Sequence, residues 1–479
     1  MRKLFWKSLI FALVVCLSLV LVSCGSSDPT IEVSEDGYWV INGEKTDVKA
    51  VGEKGDSGAQ GSKGADGKTP DFKIEDGELK VSYDGGNTWT SLGPVSGGSG
   101  SSSDENPQGL DFCLKDDGTY SVGIGNAIYL SEITIPSTYN GRAVTEIGVF
   151  CPEDVGESTR LKKINIPDSI ITIGERAFND CWKLTSVTIP DSVAEIGDNA
   201  FFYCESLTSV VIGNGVTEIG ESAFSYCTSL TSFTVSADNQ SYKDIDGNLY
   251  TKDGKTLIQY AAGKSDTIFT IPDGVETIGD SAFCDCTSLT SVTIPDSVTS
   301  IGSHAFEYCF KLVEVINKSS LNITAGSRDY GYVGYYAIEV HNGESKIVNA
   351  DNYLFYTYNG TNYLLGYVGN ETDITLPESY NGENYEIYNF AFDDCRSLTS
   401  VVIPDSVTTI GEWAFEYCTS LTSVVIGNGV TEIGDYAFNS EILTDVYYVG
   451  SEEEWANIII GSESYWLNEA TIHFNYIGE

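Results

Sequence analysis

Basic residues, histidine and methionine are the scarce side chains. Only 26 Lys+Arg stand against 69 Asp+Glu, leaving a formal net charge of −43 at pH 7. A chain so acidic repels phosphate backbones and anionic headgroups, so nucleic-acid binding is excluded as its function. Three His leave little material for His-based catalysis or a His-rich metal site. What is plentiful excludes disorder: 41% of the chain is hydrophobic and 12% aromatic, with 29 Tyr. A length of 479 residues ordinarily means two to four domains, unless the chain is an array of repeats.

Residues 1–23 read as a signal peptide. Arg2, Lys3 and Lys7 form its basic start and Leu9 to Val22 its apolar run, which is short for a permanent membrane helix. The run ends in Leu21-Val22-Ser23-Cys24, which resembles a bacterial lipobox. The resemblance implies that Cys24 is lipidated and becomes the mature N-terminus, so the protein is anchored to a membrane rather than spanning it.

A stalk should follow. Residues 24–50 are a tether and a small hairpin turning at Asp36-Gly37 and Asn42-Gly43. Residues 51–69 place Gly at every third position from Gly52 to Gly67, a collagen-like run without proline. It reads as a flexible charged spacer, with a trimerising stem as the alternative. Residues 70–95 form a second hairpin candidate, within which Ser82-x-Asp84-x-Gly86-x-Thr88-Trp89 resembles the structural Asp-box. Residues 96–109 are a Gly/Ser linker.

The body, 110–443, repeats with a period of 23. Units at 161–183, 184–206 and 207–229 run consecutively. Others occupy 266–288, 289–311, 371–397, 398–420 and 421–443, with a variant opening unit at 130–160. Leu184-x-x-Val187-x-Ile189 predicts a short strand with alternate residues inward. Pro190-Asp191 ends it, Val193-x-x-Ile196-Gly197 returns the chain, and Ala200-Phe201-x-x-Cys204 fills the far side. No unit buries its apolar face alone, but stacked units do. The fold class is therefore a mainly β repeat solenoid with short turns or helical pieces, carried on a small hairpin stalk. Residues 444–479, with Trp455, Ile458, Ile460, Trp466, Leu467 and Ile472, should cap it.

The pattern Leu-x-x-Val-x-Ile-Pro…Ile-Gly-x-x-Ala-Phe-x-x-Cys resembles the treponemal-type leucine-rich repeat of BspA-like surface proteins. The resemblance implies a lipid-anchored protein on a bacterial surface, in the outer membrane if the cell is Gram-negative. It implies adhesion or binding of a host matrix protein or another cell, no enzymatic activity and no cofactor. In such repeats the strand face is concave and often binds partners. Here that face presents Ser186, Thr188, Ser209, Val211, Ser291 and Thr293, with Asn165, Val402 and Val425 continuing it.

Two inserts interrupt the array, near 236–265 and 314–370. In the first, Asp244-x-Asp246-Gly247 lacks the remaining ligands and closing Glu of a calcium loop and reads as a turn. The second carries Tyr330, Tyr332, Tyr335, Tyr336, Tyr356 and Tyr358, which offer contacts to a protein or a glycan. Carbohydrate capture there is the alternative function. Seven cysteines follow the repeat Phe by three: Cys181, Cys204, Cys227, Cys286, Cys309, Cys395 and Cys418. Stacked units point such Cβ atoms in parallel, which predicts a buried ladder of free thiols rather than disulfides. No metal site, nucleophile–base pair or His–carboxylate cluster stands out.

Overall fold

The computed structural model describes residues 108–150 and 160–477, and before them six strands between 31 and 94. The expected signal segment, Cys24, the Gly-X-Y run, the Asp-box-like turn and most of the Gly/Ser linker lie outside the described residues. The chain divides into two units, 1–107 and 108–479. In the first, Ile31–Val33, Tyr38–Ile41 and Glu44–Lys49 form one antiparallel sheet, and Asp71–Glu75, Glu78–Ser82 and Thr90–Pro94 form another.

The second unit is a β-solenoid. Each turn contributes a strand of three or four residues to one parallel sheet and, past a corner, a two-residue strand to a second. Ser186–Ile189 pairs with Ser209–Ile212, and Ser209–Ile212 with Ser232–Val235, each residue facing the one 23 places on. Alternation sets the faces: Val187 and Ile189 are buried, while Ser186 and Thr188 are exposed. Past Pro190 the chain turns, and Glu195–Ile196 pairs with Glu218–Ile219 in the second sheet.

The third side has no strands. There Phe150, Phe178, Phe201 and Phe224 pile up with ring centroids 5.0–5.4 Å apart, close to the spacing of strands in a sheet. Phe392, Phe415 and Phe438 repeat the column at 4.8 and 5.0 Å. These rings are fully or almost fully buried, so truncating one costs about 3–5 kcal/mol. Beside them Cys204, Cys227, Cys309 and Cys418 donate S–H to the carbonyls of Phe178, Phe201, Phe283 and Phe392, at 3.0–3.2 Å. The thiol is thus a donor that ties each turn to the one before.

One rung departs from expectation. Cys181 is disulfide-bonded, as is Cys113. Cys204 is free, so the bond does not run along the ladder. Parallel Cβ vectors disfavour bonds between rungs. They say nothing about an end rung reaching another element, and the unit before Cys181 has no cysteine at this position to stack beneath it.

The array is also less continuous than its repeats suggest. It forms three stacks, each with its own pair of sheets and a core centred on it, the first core reaching Tyr242, Leu249 and Ala261 at the start of the second stack. The two inserts are where the stacks begin. Tyr242–Ile245, Asn248–Thr251 and Thr256–Gln259 are antiparallel, and the last pairs in parallel with Thr277–Ile278. Likewise Val348–Ala350, Tyr353–Tyr358 and Thr361–Tyr367 are antiparallel, and the last pairs in parallel with Tyr385–Ile387. The first stack opens the same way, on Asp111–Leu114 and Tyr120–Gly123. The antiparallel strands of each insert are therefore the first strands of a new sheet, while Glu314–Asn317 and Glu339–His341 of the second insert end the second stack's strand face.

At the end, Ser451 and Glu454 make a capping box for the short helix Glu452–Trp455. Trp455 packs edge-on against Tyr448, and Ile459–Ile460 and Thr471–His473 extend the two sheets by one strand each.

Candidate functional site

The strand face of the first stack is a shallow open groove of about 580 Å³. Its floor is the outward column Asn165, Thr188, Val211 and Thr234, one residue from each successive strand. Val211 keeps 39% of its surface exposed because neighbours in the column are equally short. Ser186 lies in the groove and Ser209 sits half-buried beside it in register. The residues expected at this face are thus brought together here.

Charge is unevenly placed. At one end Lys163 is paired with Glu132 at 2.7 Å, and Asn165 Nδ2 donates to the same carboxylate at 3.2 Å. Those two hydrogen bonds hold the Glu132 carboxyl below the usual range. At the other end, where Pro167 and Pro190 stop two of the strands, Asp168 and Asp191 line the rim. Asp191 accepts the backbone N–H of Asn214 at 2.8 Å, which fixes its corner. Among the described residues no aromatic ring lines the groove.

The same face differs in the second stack. Ser291 is fully buried and Thr293 nearly so, so neither is available to a partner. Glu314, also fully buried, is the reason. It accepts Ser291 Oγ at 2.5 Å, Ser345 Oγ at 2.7 Å, the Lys346 backbone N–H at 2.8 Å and His341 Nε2 at 3.1 Å. The chain from His341 to Lys346 folds back across the face to make these bonds. A His–carboxylate cluster therefore exists, contrary to the sequence reading. Its partners come from three segments, and no short spacing marks it. Both serines and the imidazole are bonded to the one carboxylate, and among the described residues no hydrogen bond links either serine to the histidine, so it is not arranged as a nucleophile–base pair.

The Tyr-rich insert separates into two groups. Tyr356 is fully buried, donates to Glu339 at 2.7 Å and has its phenol pushed up by burial. Tyr358 packs beside it against a small core of Val313, Leu354 and Leu365. Tyr356 is thus part of the join between the second and third stacks, not a binding residue. Tyr330, Tyr332, Tyr335 and Tyr336 are half-buried. His304 stacks on Tyr332 at 5.6 Å, and the Arg328 guanidinium lies over Tyr335 at 4.9 Å and donates to its hydroxyl oxygen at 3.2 Å. Ring faces that a sugar would use are already in contact with the chain's own residues.

Among the described residues no group of three or more His, Cys, Asp and Glu is placed to hold a metal ion, and no helix is long and apolar enough to cross a membrane.

A family model described as "BspA type Leucine rich repeat region" matches in six copies over residues 152–251, 260–359 and 385–458. No curated protein matches the chain. Similar solved structures include a leucine rich cell surface protein from Faecalibacterium prausnitzii A2-165. It is 26% identical, covers 76% of this chain and 99% of its own, and has a TM-score of 0.31. A leucine-rich repeat protein from Eubacterium ventriosum is 21% identical over 70% of this chain and 94% of its own, with a TM-score of 0.35. The pneumococcal vaccine antigen PcpA is 17% identical over 77% of this chain and 97% of its own, with a TM-score of 0.32.

Proposed function

Because the chain belongs to the BspA-type leucine-rich-repeat family, matched over more than half of its length, we propose that it is a non-enzymatic binding protein of the bacterial surface. It is lipid-anchored through Cys24 and holds a macromolecular partner, such as a host matrix protein or another cell. The observation that carries this reading is the open groove on the first stack's strand face. Its floor is flat and made of short uncharged side chains, which suits an extended partner and leaves no enclosed site for a small substrate.

Cells that display the protein should retain immobilised matrix proteins or epithelial cells more strongly than a deletion strain does. Equal retention by the two strains would remove the reading. Protease treatment of the intact cells checks display itself, since a surface protein is cut without lysis.

A further inference from the structure

Resting on that reading, we propose that the groove takes an extended, lysine- or arginine-rich polypeptide segment. Three features select this partner. First, among the described residues the groove's one lining cation, Lys163, is held by Glu132 at 2.7 Å, while Asp168 and Asp191 stand on the opposite rim. The balance at the groove is therefore acidic, in a chain of net charge −43 that draws cations from a distance. Second, no aromatic ring among the described residues lines it, so they offer no stacking platform of the kind on which a neutral glycan would depend. Third, its floor is flat: Thr188, Val211 and Thr234 follow one another in register across adjacent strands. An extended chain crossing the strands can lie on these residues and point its cations at the aspartate rim.

The third stack provides a matched control. Asp405 accepts the backbone N–H of Asn428 at 2.9 Å, as Asp191 accepts that of Asn214 at 2.8 Å. The Pro-Asp corner at Asp296 adjoins the face that Glu314 and its partners cover. Neutralising Asp296 and Asp405 therefore removes the same charge from equivalent corners outside the groove.

The test uses the full chain and a fluorescent decalysine peptide, with binding read by anisotropy. Asp168→Asn with Asp191→Asn should weaken binding about fivefold, and the effect should shrink as salt rises. Asp296→Asn with Asp405→Asn should change it by less than about twofold. Equal losses in the two double variants would show attraction to net charge alone and overturn the proposal. So would an absence of decalysine binding, or a decaglutamate peptide bound as tightly. Adhesion of displaying cells is then measured with saturating decalysine present. Adhesion that persists undiminished retains the surface-binding function and discards this partner chemistry.

Discussion

Glu314 shows how much a single side chain organises. A carboxylate with no exposed surface is costly unless its lone pairs are filled, and four donors from Ser291, His341, Ser345 and Lys346 fill them. The imidazole is oriented as well: His341 Nδ1 accepts the Gly343 N–H at 3.1 Å, which leaves Nε2 to donate to Glu314. Replacing Glu314 with Ala takes the acceptor from buried Ser291 and half-buried His341 and releases the exposed segment at Ser345 and Lys346. Glu314→Ala should cost about 3 kcal/mol, measured by urea unfolding, and should increase exchange of the Lys346 amide. A loss below about 1 kcal/mol would mean water substitutes for the carboxylate. None of this was legible from spacing, because Ser291, Glu314 and His341 look like unrelated positions in one repeat and one insert. The cysteine ladder was legible in register and burial, since a side chain repeated every 23 residues must meet its own copies. What the register left out is the carbonyl each thiol donates to.

At the scale of one turn, the corners govern how closely units stack. Where four units have Pro-Asp-Ser, two have Gly-Asn-Gly, at 213–215 and 427–429. A Cβ at Gly215 would lie 2.1 Å from the carbonyl oxygen of Asp191, and one at Gly429 would lie 1.8 Å from that of Asp405. Glycine is needed there for closeness of approach, since neither residue has a positive φ. Gly215→Ala and Gly429→Ala should each cost about 1–3 kcal/mol, read as a lowered unfolding midpoint. An unchanged midpoint in both would show that the corner relaxes freely.

The turn beside the Phe column carries the opposite surprise. Tyr203, Tyr226, Tyr308, Phe390, Trp413 and Tyr436 all have φ between 52° and 61°, a region bulky side chains rarely enter. They recompense one another by stacking. Tyr203 and Tyr226 lie 4.4 Å apart, Phe390 and Trp413 5.1 Å, and Trp413 and Tyr436 5.6 Å. Sequence reasoning places Asn, Asp or Gly at such positions, so these aromatics gave no turn signal.

Across the whole solenoid unit, three main cores, each centred on one stack, imply that local opening should stay largely local. Each turn touches mainly its neighbours: the first core continues into Tyr242, Leu249 and Ala261 at the opening of the second stack, and the second and third stacks meet through Phe310 on Phe390, at 4.6 Å, and the small core around Val313 and Leu354. Phe415→Ala should therefore speed amide exchange through the third stack, about 373–448, and leave 132–235 unchanged. Acceleration spread evenly over all three stacks would show one cooperative unit instead.

The 23-residue period, the inward register of Val and Ile, the Phe and Cys columns and the acidic corners were all determined by the sequence alone. Each depends on period-two alternation and on contact between equivalent neighbours, which a repeat states outright. The tertiary structure decided which outward residues stay open. Thr188 and Val211 line a groove, whereas Ser291 and Thr293, at equivalent positions, lie buried beside Glu314. It also decided that the inserts start new stacks. Both outcomes turn on which distant segment covers a face or pairs with an edge, and no local pattern encodes that choice.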